Sequence, residues 1–418
     1  MSSTSSTVAP TPDERRVIDY LRSPQAIRDR CGHLFEAALA DQLTHFRCDL
    51  SQLDATADYV IQVIEANYPT WEVPFHSRWR HFEVGGRDRR RELAQRLNSD
   101  YAVEQARTEV DLAITSVLLD AGAGPAWQFV EPGTQDTYAR SEGLAIASFY
   151  LFLNGGFSSD AQQPFQADAV GLQQFTAERL ADGFQVSDRN PLVGVEGRAA
   201  LLQQLGHSLL QRPELFGDRP RLGNLVDYWL NQATDRRLSA QIVFHAVLEG
   251  LSDIWPGRHA IASVNLGDVW PHPKLPDTGP GAQLVPFHKL SQWLTYSLLE
   301  PLQTLGITIT DLDALTGLAE YRNGGLCVDR GLLVPKHPEV LSDRHLPSSE
   351  VIVEWRALTV ALLDRIGDRI RKQRQQTAAE LPLVKILEGG TWAAGRRLAK
   401  EKRDGSPPIQ IHSDGTVF

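Results

Sequence analysis

The sequence has 418 residues, with 42 Lys and Arg against 52 Asp and Glu, a net charge of −10 and 42% hydrophobic residues. This is an ordinary globular composition, and a chain of this length can bury a large core without disulfide or metal staples. The acidic balance disfavours a nucleic-acid partner, and no apolar run reaches the length of a membrane span. Three cysteines without a CxxC spacing disfavour a disulfide framework or zinc ribbon, so we expect reduced thiols and a cytoplasmic location.

The chain begins with a segment rich in Ser, Thr and Pro, and residues 1–14 are therefore expected to be a disordered tail. Apolar residues at spacings of three and four then predict helices over residues 100–121, 197–211, 239–251, 286–305, 311–323 and 349–374. Short strands are predicted at 261–266 and 409–411. Nothing resembles an interdomain linker, so we expect residues 15–418 to form one large, all-α domain.

The fifth of these predicted helices has start and stop signals at both ends. Thr310 and Asp313 suit a capping box at its start, and Gly324 and Gly325 are expected to stop it. Two irregular stretches rich in Pro and Gly, residues 122–133 and 270–286, are predicted to be surface loops, and long loops in compact domains are often functional.

Motifs for cofactors are missing. Residues 121–125 resemble half of a dinucleotide fingerprint, but they follow a predicted helix and lack the third glycine. There is no P-loop, no GxSxG elbow and no HExxH pair among the 12 histidines. We therefore expect neither an organic cofactor nor a metal.

Asp268 is the first candidate for chemistry, because it lies beside Gly267 at the start of the Pro-rich loop. An acid that is held rigidly and partly desolvated has a raised pKa, which suits a general base. A helix N-cap or a turn residue is the alternative, and it is the commoner role of Asp on spacing alone.

Glu320, Tyr321 and Arg322 are the second candidates, placed by the prediction at the end of the fifth helix. An acid, a phenol and a guanidinium together suit a polar ligand. The alternative is a salt bridge at a helix end, where an Arg side chain is favoured by the negative end of the helix dipole.

Glu354 and Arg356 form a third candidate, on the longest predicted helix. Glu354 falls at the edge of its apolar stripe, and a partly buried carboxylate needs a partner. A ligand contact and a structural ion pair within the helical core are equally compatible with this pattern.

A cluster of basic and aromatic residues is the fourth candidate. It contains Arg78, His81 and Arg87, with Trp79 and Phe82 between them. Such residues can clamp a phosphate and stack on a flat ligand. The alternative is a solvated basic face.

Taken together, several strings resemble the uracil-catabolism family known as Urc-four or Urg-three, long described only as a domain of unknown function. The resembling strings are HFEVGGRDR at 81–89, RSEGLA at 140–145, NPLVGVEGR at 190–198, IWPGR at 254–258, GLAEYRNGG at 317–325, LEGGTWAAGR at 387–396 and SDGTVF at 413–418. The family acts in a route that opens uracil through its ribonucleotide. The resemblance implies that this member acts on ribosylurea or its phosphate and releases urea.

A more distant likeness points to the queuosine-salvage nucleosidases, helical proteins related to DNA glycosylases. DVW at 268–270, DLDALTGLAEYR at 311–322 and EVIVEWR at 350–356 are similar to three of their strings, in the same order. The likeness implies a helical, DNA-glycosylase-like architecture. Two features depart from the pattern: Glu320 stands where those proteins have Asp, and the helix predicted at 286–305 lies between the first two strings.

These resemblances imply hydrolysis of an N-glycosidic bond through an oxocarbenium-like transition state. Asp268 would stabilise the positive charge and activate water, and Glu320 would hold the ribose or protonate the leaving nitrogen. The remaining candidates would contact the substrate: Tyr321, Arg322, Glu354, Arg356 and His81 as polar groups, Trp127 and Phe129 as pocket walls, and Arg78, Arg87 or Lys385 as ligands of a phosphate. This reading requires the two acids to converge in a water-poor cavity.

Two other classes stay open. A metal-dependent amidohydrolase would attack the ureido carbonyl and release ammonia, and a non-catalytic protein would bind the ligand without turnover. The sequence leaves open whether the small ribosyl substrate is phosphorylated and which oligomeric state the protein adopts.

Overall fold

The computed structural model describes residues 9–97, 101–254 and 259–412. Four parts of the sequence discussed above lie outside these ranges: the first eight residues of the predicted tail, the last four of the string at 254–258, the string at 413–418, and residue 100 of the first predicted helix. Within them the chain is mainly helical with short two-stranded pairings, which confirms the all-α class. The DNA-glycosylase-like architecture stays a prediction. No described helix is both long and apolar enough to cross a bilayer.

The helices, in chain order, are α1 (Pro12–Leu21), α2 (Pro24–Leu39), α3 (Leu53–Asn67), α4 (Trp79–Phe82), α5 (Arg89–Leu97), α6 (Ala102–Leu118), α7 (Arg140–Leu153), α8 (Ala169–Gln173), α9 (Ala177–Gly183), α10 (Val195–Leu210), α11 (Pro213–Phe216), α12 (Leu225–Gln232), α13 (Ala240–Leu251), α14 (Lys289–Thr304), α15 (Tyr321–Asp329), α16 (Glu339–Ser342), α17 (Glu350–Arg374), α18 (Leu383–Ile386) and α19 (Trp392–Arg403). A π-helical turn, Leu387–Thr391, joins α18 to α19.

The strands are two or three residues long: β1 (Phe46–Cys48), β2 (Gln128–Val130), β3 (Thr137–Ala139), β4 (Arg237–Ser239), β5 (Ala260–Ile261), β6 (Val264–Asn265), β7 (Val269–Pro271), β8 (Leu284–Pro286), β9 (Thr308–Thr310), β10 (Leu333–Pro335), β11 (Arg344–His345) and β12 (Gln410–Ile411). The pairs β1–β10, β2–β3, β5–β6 and β7–β8 are antiparallel, whereas β4–β9 and β11–β12 are parallel. The strand predicted at 409–411 is confirmed as β12. The strand predicted at 261–266 is instead a hairpin, because residues 262 and 263 form a turn between β5 and β6.

The chain divides into two compact units. Of the described residues, unit 1 contains 9–76, 259–292 and 311–412, and unit 2 contains 77–97, 101–254 and 293–310. The boundaries lie far apart in sequence, so each unit is assembled from separate segments.

Unit 1 is organised around α17, whose residues 351–363 are all buried. This helix packs against α2, α3 and α15, and α15 packs in turn against α19. The N-terminal helix α1 begins at Pro12, because the Thr11 hydroxyl and the Glu14 carboxylate form a reciprocal capping box. The last three residues of the segment expected to be a tail are therefore helical.

Unit 2 contains α6, whose residues 108–118 are all buried, packed against α7 and α12. α10 packs against α8 and α9. Five of the six predicted helices are confirmed as α6, α10, α13, α14 and α17, with ends shifted by up to three residues.

The helix predicted over residues 311–323 is wrong. A short 3₁₀ turn occupies Leu312–Ala314, an irregular stretch follows, and the helix begins only at Tyr321. Side chains that are distant in sequence form hydrogen bonds with the backbone groups that a helix would pair internally. Arg28 donates to the carbonyls of Ala314 and Leu315, and Gln292 accepts a hydrogen bond from the N–H of Thr316. Glu320 therefore opens a helix instead of closing one.

Gly324 and Gly325 were expected to stop that helix, but both lie inside α15. They allow close packing. A Cβ atom on Gly324 would lie 2.6 Å from Nε1 of Trp355, and one on Gly325 would lie 3.2 Å from Cδ of Pro408. Tertiary packing has therefore overridden the weak local preference of glycine against helix interiors.

Candidate active site

Asp268 is fixed by four hydrogen-bond donors at the start of β7. Its Oδ1 accepts bonds from Trp270 Nε1 at 2.7 Å and Arg356 Nη1 at 2.8 Å, and its Oδ2 accepts bonds from Arg356 Nη2 at 2.7 Å and the Lys289 backbone N at 3.1 Å. A carboxylate offers about four lone-pair sites, so these donors fill them.

The same contacts determine the charge of Asp268. Burial alone would raise its pKa, but the charge of Arg356, the hydrogen bonds from Arg356 and then the bond from Trp270 hold the pKa well below its usual range. The raised pKa expected from the sequence is therefore wrong, because the bidentate guanidinium outweighs desolvation. A carboxylate so stabilised as an anion is a weak proton acceptor.

Arg356 connects Asp268 to the second candidate acid. Its side chain is only 2% exposed, its Cζ lies 4.1 Å from the centroid of the Phe287 ring, and its Nε donates to the carbonyl oxygen of Ala319 at 3.3 Å. Ala319 directly precedes Glu320. The guanidinium from α17 therefore ties the loop of Asp268 to the segment that carries Glu320.

Glu320 is the N-cap of α15. Its Oε2 accepts the N–H of Arg322 at 2.9 Å, and its Oε1 accepts the N–H of Asn323 at 2.5 Å. The helix N-terminus favours a negative charge there. Each oxygen accepts one bond from the described residues, and the side chain is half-buried. Glu320 can therefore accept further hydrogen bonds, whereas the lone pairs of Asp268 are already used.

Tyr321 and Arg322 follow at the first turn of the helix. Arg322 donates from Nε to the Tyr321 hydroxyl at 3.2 Å, and its Cζ lies 4.8 Å from the centroid of the Trp392 ring. Among the described residues, no carboxylate lies within ion-pair distance of Arg322. Its Nη groups are therefore available to an anionic or carbonyl group of a ligand.

Glu354 has a structural position. It is fully buried, and its carboxylate accepts the backbone N–H groups of Thr44 at 3.0 Å, His45 at 3.0 Å and Phe46 at 3.2 Å. It thereby satisfies the backbone at the start of β1. This arrangement favours the structural alternative over a ligand contact, with backbone amides in place of an ion pair.

Two predicted pocket walls, Trp127 and Phe129, are core residues of unit 2. Trp127 donates from Nε1 to the carbonyl of Phe184 at 2.9 Å, and Phe129 stacks on Tyr150 with ring centroids 6.1 Å apart. Both are buried. These contacts show their packing, and a role in a pocket stays a prediction.

The predicted phosphate ligands in unit 2 already have carboxylate partners. Arg78 is fully buried and lies 2.6 Å from Asp120, and Arg87 lies 3.0 Å from both Glu131 and Glu92. These ion pairs favour structural roles. The alternative interpretation, a solvated basic face, is also excluded for Arg78, because its side chain is fully buried.

The other two residues predicted to contact the substrate, His81 and Lys385, lie in different units. His81 packs its ring edge-on against Trp293 in unit 2, with centroids 5.8 Å apart. Lys385 is half-buried on α18 of unit 1. Unit 1 therefore groups Asp268, Arg356 and the segment of Glu320 through direct contacts, whereas Trp127, Phe129, Arg78, His81 and Arg87 belong to unit 2.

Residues 20–418 match the family described as "Protein of unknown function (DUF1688)". The chain belongs to this family. It is 38% identical to "Uracil catabolism protein 4" of Lachancea kluyveri over 96% of this chain and 99% of that protein. It is 39% identical to "Protein urg3" of Schizosaccharomyces pombe, over 95% of this chain and 98% of that protein.

Two strings of this DUF1688 chain, at 317–325 and 387–396, meet where α15 packs against α19. A Cβ atom on Gly395 would lie only 2.0 Å from the backbone oxygen of Arg322. On the π-helical turn, a Cβ on Gly390 would lie 2.6 Å from Val60 Cγ1. The glycines therefore let α19 approach the backbone that carries Arg322. Trp392, which the sequence reasoning did not single out, belongs to the second string.

Replacing Gly395 with Ala is expected to lower the free energy of unfolding by about 1–3 kcal/mol, because the added methyl must displace the Arg322 backbone. Gly32→Ala is the matched control. Gly32 lies within α2 of the same unit, with no atom within 4 Å of the added Cβ, so this change is expected to stabilise the protein by about 0.5–1 kcal/mol. Guanidinium chloride unfolding measures both. Equal effects of the two substitutions would contradict this account of the packing.

One group of side chains in unit 1 has ligand types that suit a metal: His272, Glu350 and Glu354, whose ligand atoms lie within 4.8 Å of one another. The hydrogen bonds do not fit that use. Nδ1 of His272 accepts the N–H of Lys274 at 3.2 Å, so the proton of the neutral ring is on Nε2, which faces Glu354 Oε1 at 3.7 Å. At 3.7 Å this contact is too long for a hydrogen bond, and Nε2 has no hydrogen-bond partner among the described residues. The Glu354 oxygens already accept backbone N–H groups, and we derive no step through a metal here.

Proposed function

We propose that this DUF1688 chain is an enzyme of pyrimidine catabolism that hydrolyses the N-glycosidic bond of ribosylurea or ribosylurea phosphate. The products are urea and ribose or ribose phosphate. The observation that carries the proposal is that Arg356 joins the segments of two carboxylates with unlike hydrogen bonding. Asp268 is saturated and held ionised, and Glu320 has acceptor capacity left, with Arg356 joining their segments. The names of the two relatives support a place in uracil catabolism.

The chemistry of N-ribosyl cleavage needs such a division of labour. Positive charge develops on the anomeric carbon and ring oxygen in the transition state, and a fixed anion near them lowers the barrier. Glu320 serves this purpose because its lone pairs are open and its backbone cap holds it without reorganisation. Asp268 acts through Arg356 as a positioning residue, since its own lone pairs are filled.

Glu320 also suits the activation of water. When the bond from C1′ to nitrogen breaks, its electron pair leaves with the urea nitrogen, which takes up a proton. Water then forms the new bond to C1′ and gives its proton to the Glu320 carboxylate. The sum is the addition of one water molecule across the glycosidic bond. Arg322 and Tyr321 orient the substrate from the same helical turn.

The direct test incubates the purified protein with synthetic N-ribosylurea and, separately, with its 5′-phosphate. Urea is quantified by an enzyme-coupled assay, and the sugar product is identified by NMR. We expect urea and ribose, or ribose phosphate, in equimolar amounts with no ammonia before urease is added. Ammonia with carbon dioxide would instead indicate an amidohydrolase, and saturable binding without turnover would indicate a binding protein. Either result overturns the proposal.

A further inference from the structure

A histidine–carboxylate pair lies in unit 1 beside the aromatic ring that Arg322 covers. Nδ1 of His76 is 2.6 Å from Oε2 of Glu388, and the two side chains are 7% and 12% exposed. The backbone N–H of His76 donates to the carbonyl of Val384. A carboxylate on Nδ1 fixes the orientation of an imidazole and stabilises its protonated form, which leaves Nε2 to exchange a proton with a ligand.

An irregular backbone segment determines the position of Glu388. It lies in the π-helical turn Leu387–Thr391, between α18 and α19. Single π-turns are uncommon and occur frequently at functional sites. Next to it, a Cβ on Gly389 would lie 3.0 Å from Val73 Cγ1, and Val73 lies three residues before His76. The turn is therefore packed against the segment that carries the histidine.

Trp392 connects this pair to the proposed site. Its ring centroid lies 5.5 Å from that of His76, and the guanidinium carbon of Arg322 lies 4.8 Å from the same centroid. Arg322 in turn gives its backbone N–H to Glu320. His76 and the substrate-orienting turn of α15 therefore share one aromatic neighbour.

We propose that His76, oriented by Glu388, is the general acid that protonates the leaving group, an inference that rests on the proposed function. Urea leaves poorly as an anion, so the breaking C1′–N bond needs a proton on the ureido group. The Nε2 proton of His76 goes to that nitrogen as the nitrogen receives the bonding electron pair. Glu320 then releases the proton of the water molecule to solvent, and His76 takes up one proton from solvent, which completes the cycle.

The competing role for the pair is purely structural, as a largely buried ion pair. The two roles differ in their dependence on the leaving group. A general acid matters for urea but hardly for a leaving group that is stable as an anion. A structural pair affects both substrates equally.

The experiment compares urea release from the ribosylurea form that the wild type prefers with hydrolysis of p-nitrophenyl β-D-ribofuranoside in the same phosphorylation state. We expect His76→Gln to lower kcat for ribosylurea about 10²–10⁴-fold and to change kcat for the aryl riboside less than about tenfold. Glu388→Gln shows the same selectivity with a smaller loss. His345→Gln, a half-buried histidine of the same unit bonded to the carbonyl of Val340, is the matched control and leaves both rates unchanged.

Equal losses on the two substrates, or no loss on ribosylurea, overturn the general-acid role. If the wild type rejects the aryl riboside, rescue of His76→Ala by added imidazole decides the question: restored urea release supports the role, and no restoration in a folded variant overturns it. Failure of the proposed function is distinguishable, because the wild type itself then releases no urea. In that case the inference fails with it.

Discussion

Glu320→Gln is expected to lower kcat for urea release by about 10²–10⁴-fold while the protein stays folded. Gln keeps the length of the side chain and one acceptor oxygen for the backbone N–H groups at the start of α15, but it loses the negative charge that faces the developing oxocarbenium ion. The stability cost should be small, within about 2 kcal/mol for a weakened cap. The measurement is steady-state urea release together with guanidinium chloride unfolding.

Glu320→Asp and Glu339→Gln are the accompanying variants. Asp retains the charge one methylene further from the ligand, so it should recover part of the rate that Gln loses. Glu339 is exposed in the first turn of α16 in the same unit, and its change to Gln should leave kcat at the wild-type value. A fully active Glu320→Gln enzyme would remove Glu320 from the mechanism.

The sequence predicts the long helices because apolar residues recur in them at spacings of three and four. α6 and α17 bury long runs of residues, and their apolar spacing alone places them to within a few residues. The prediction fails at residues 311–323, where the side chains of Arg28 and Gln292, distant in sequence, bind the backbone. No local pattern carries that information, so the start of the helix was predicted at residue 311, whereas it begins at Tyr321.

The candidate site shows the same limit. Asp268 and Arg356 were both proposed from strings, but their ion pair joins positions 88 residues apart, and it reverses the expected direction of the pKa of Asp268. His76 and Glu388 are separated by 312 residues. The string at 387–396 contains Glu388 and Trp392, whereas nothing in the sequence around His76 distinguishes it from the other histidines. Residue types were thus predictable, and their partners were not.

Asp268→Asn and Arg356→Met are each expected to lower the free energy of unfolding by about 3–5 kcal/mol, because either change leaves the other group buried without its charge partner. The double variant should be more stable than the sum of the single losses predicts, since the two residues act on each other. Guanidinium chloride unfolding is the measurement, because urea is a proposed product. Glu401→Gln, which breaks an exposed pair with Arg397 on α19, should have no measurable effect. Purely additive losses would show that the pair is not coupled.

The pH dependence of this stability has a definite sign. The pKa of Asp268 is lower in the folded protein than in the unfolded chain, where it lies near about 3.9. The unfolded state therefore binds the proton more readily, so the stabilisation by Asp268 is fully present above that unfolded value and is lost as the pH falls toward the lower, folded value. The stability gap between the wild type and Asp268→Asn should be constant from about pH 6 to 8 and should narrow progressively below about pH 4. A gap that widens on acidification would mean that Asp268 is protonated in the folded protein, and the bidentate ion pair with Arg356 would then be the wrong description of this site.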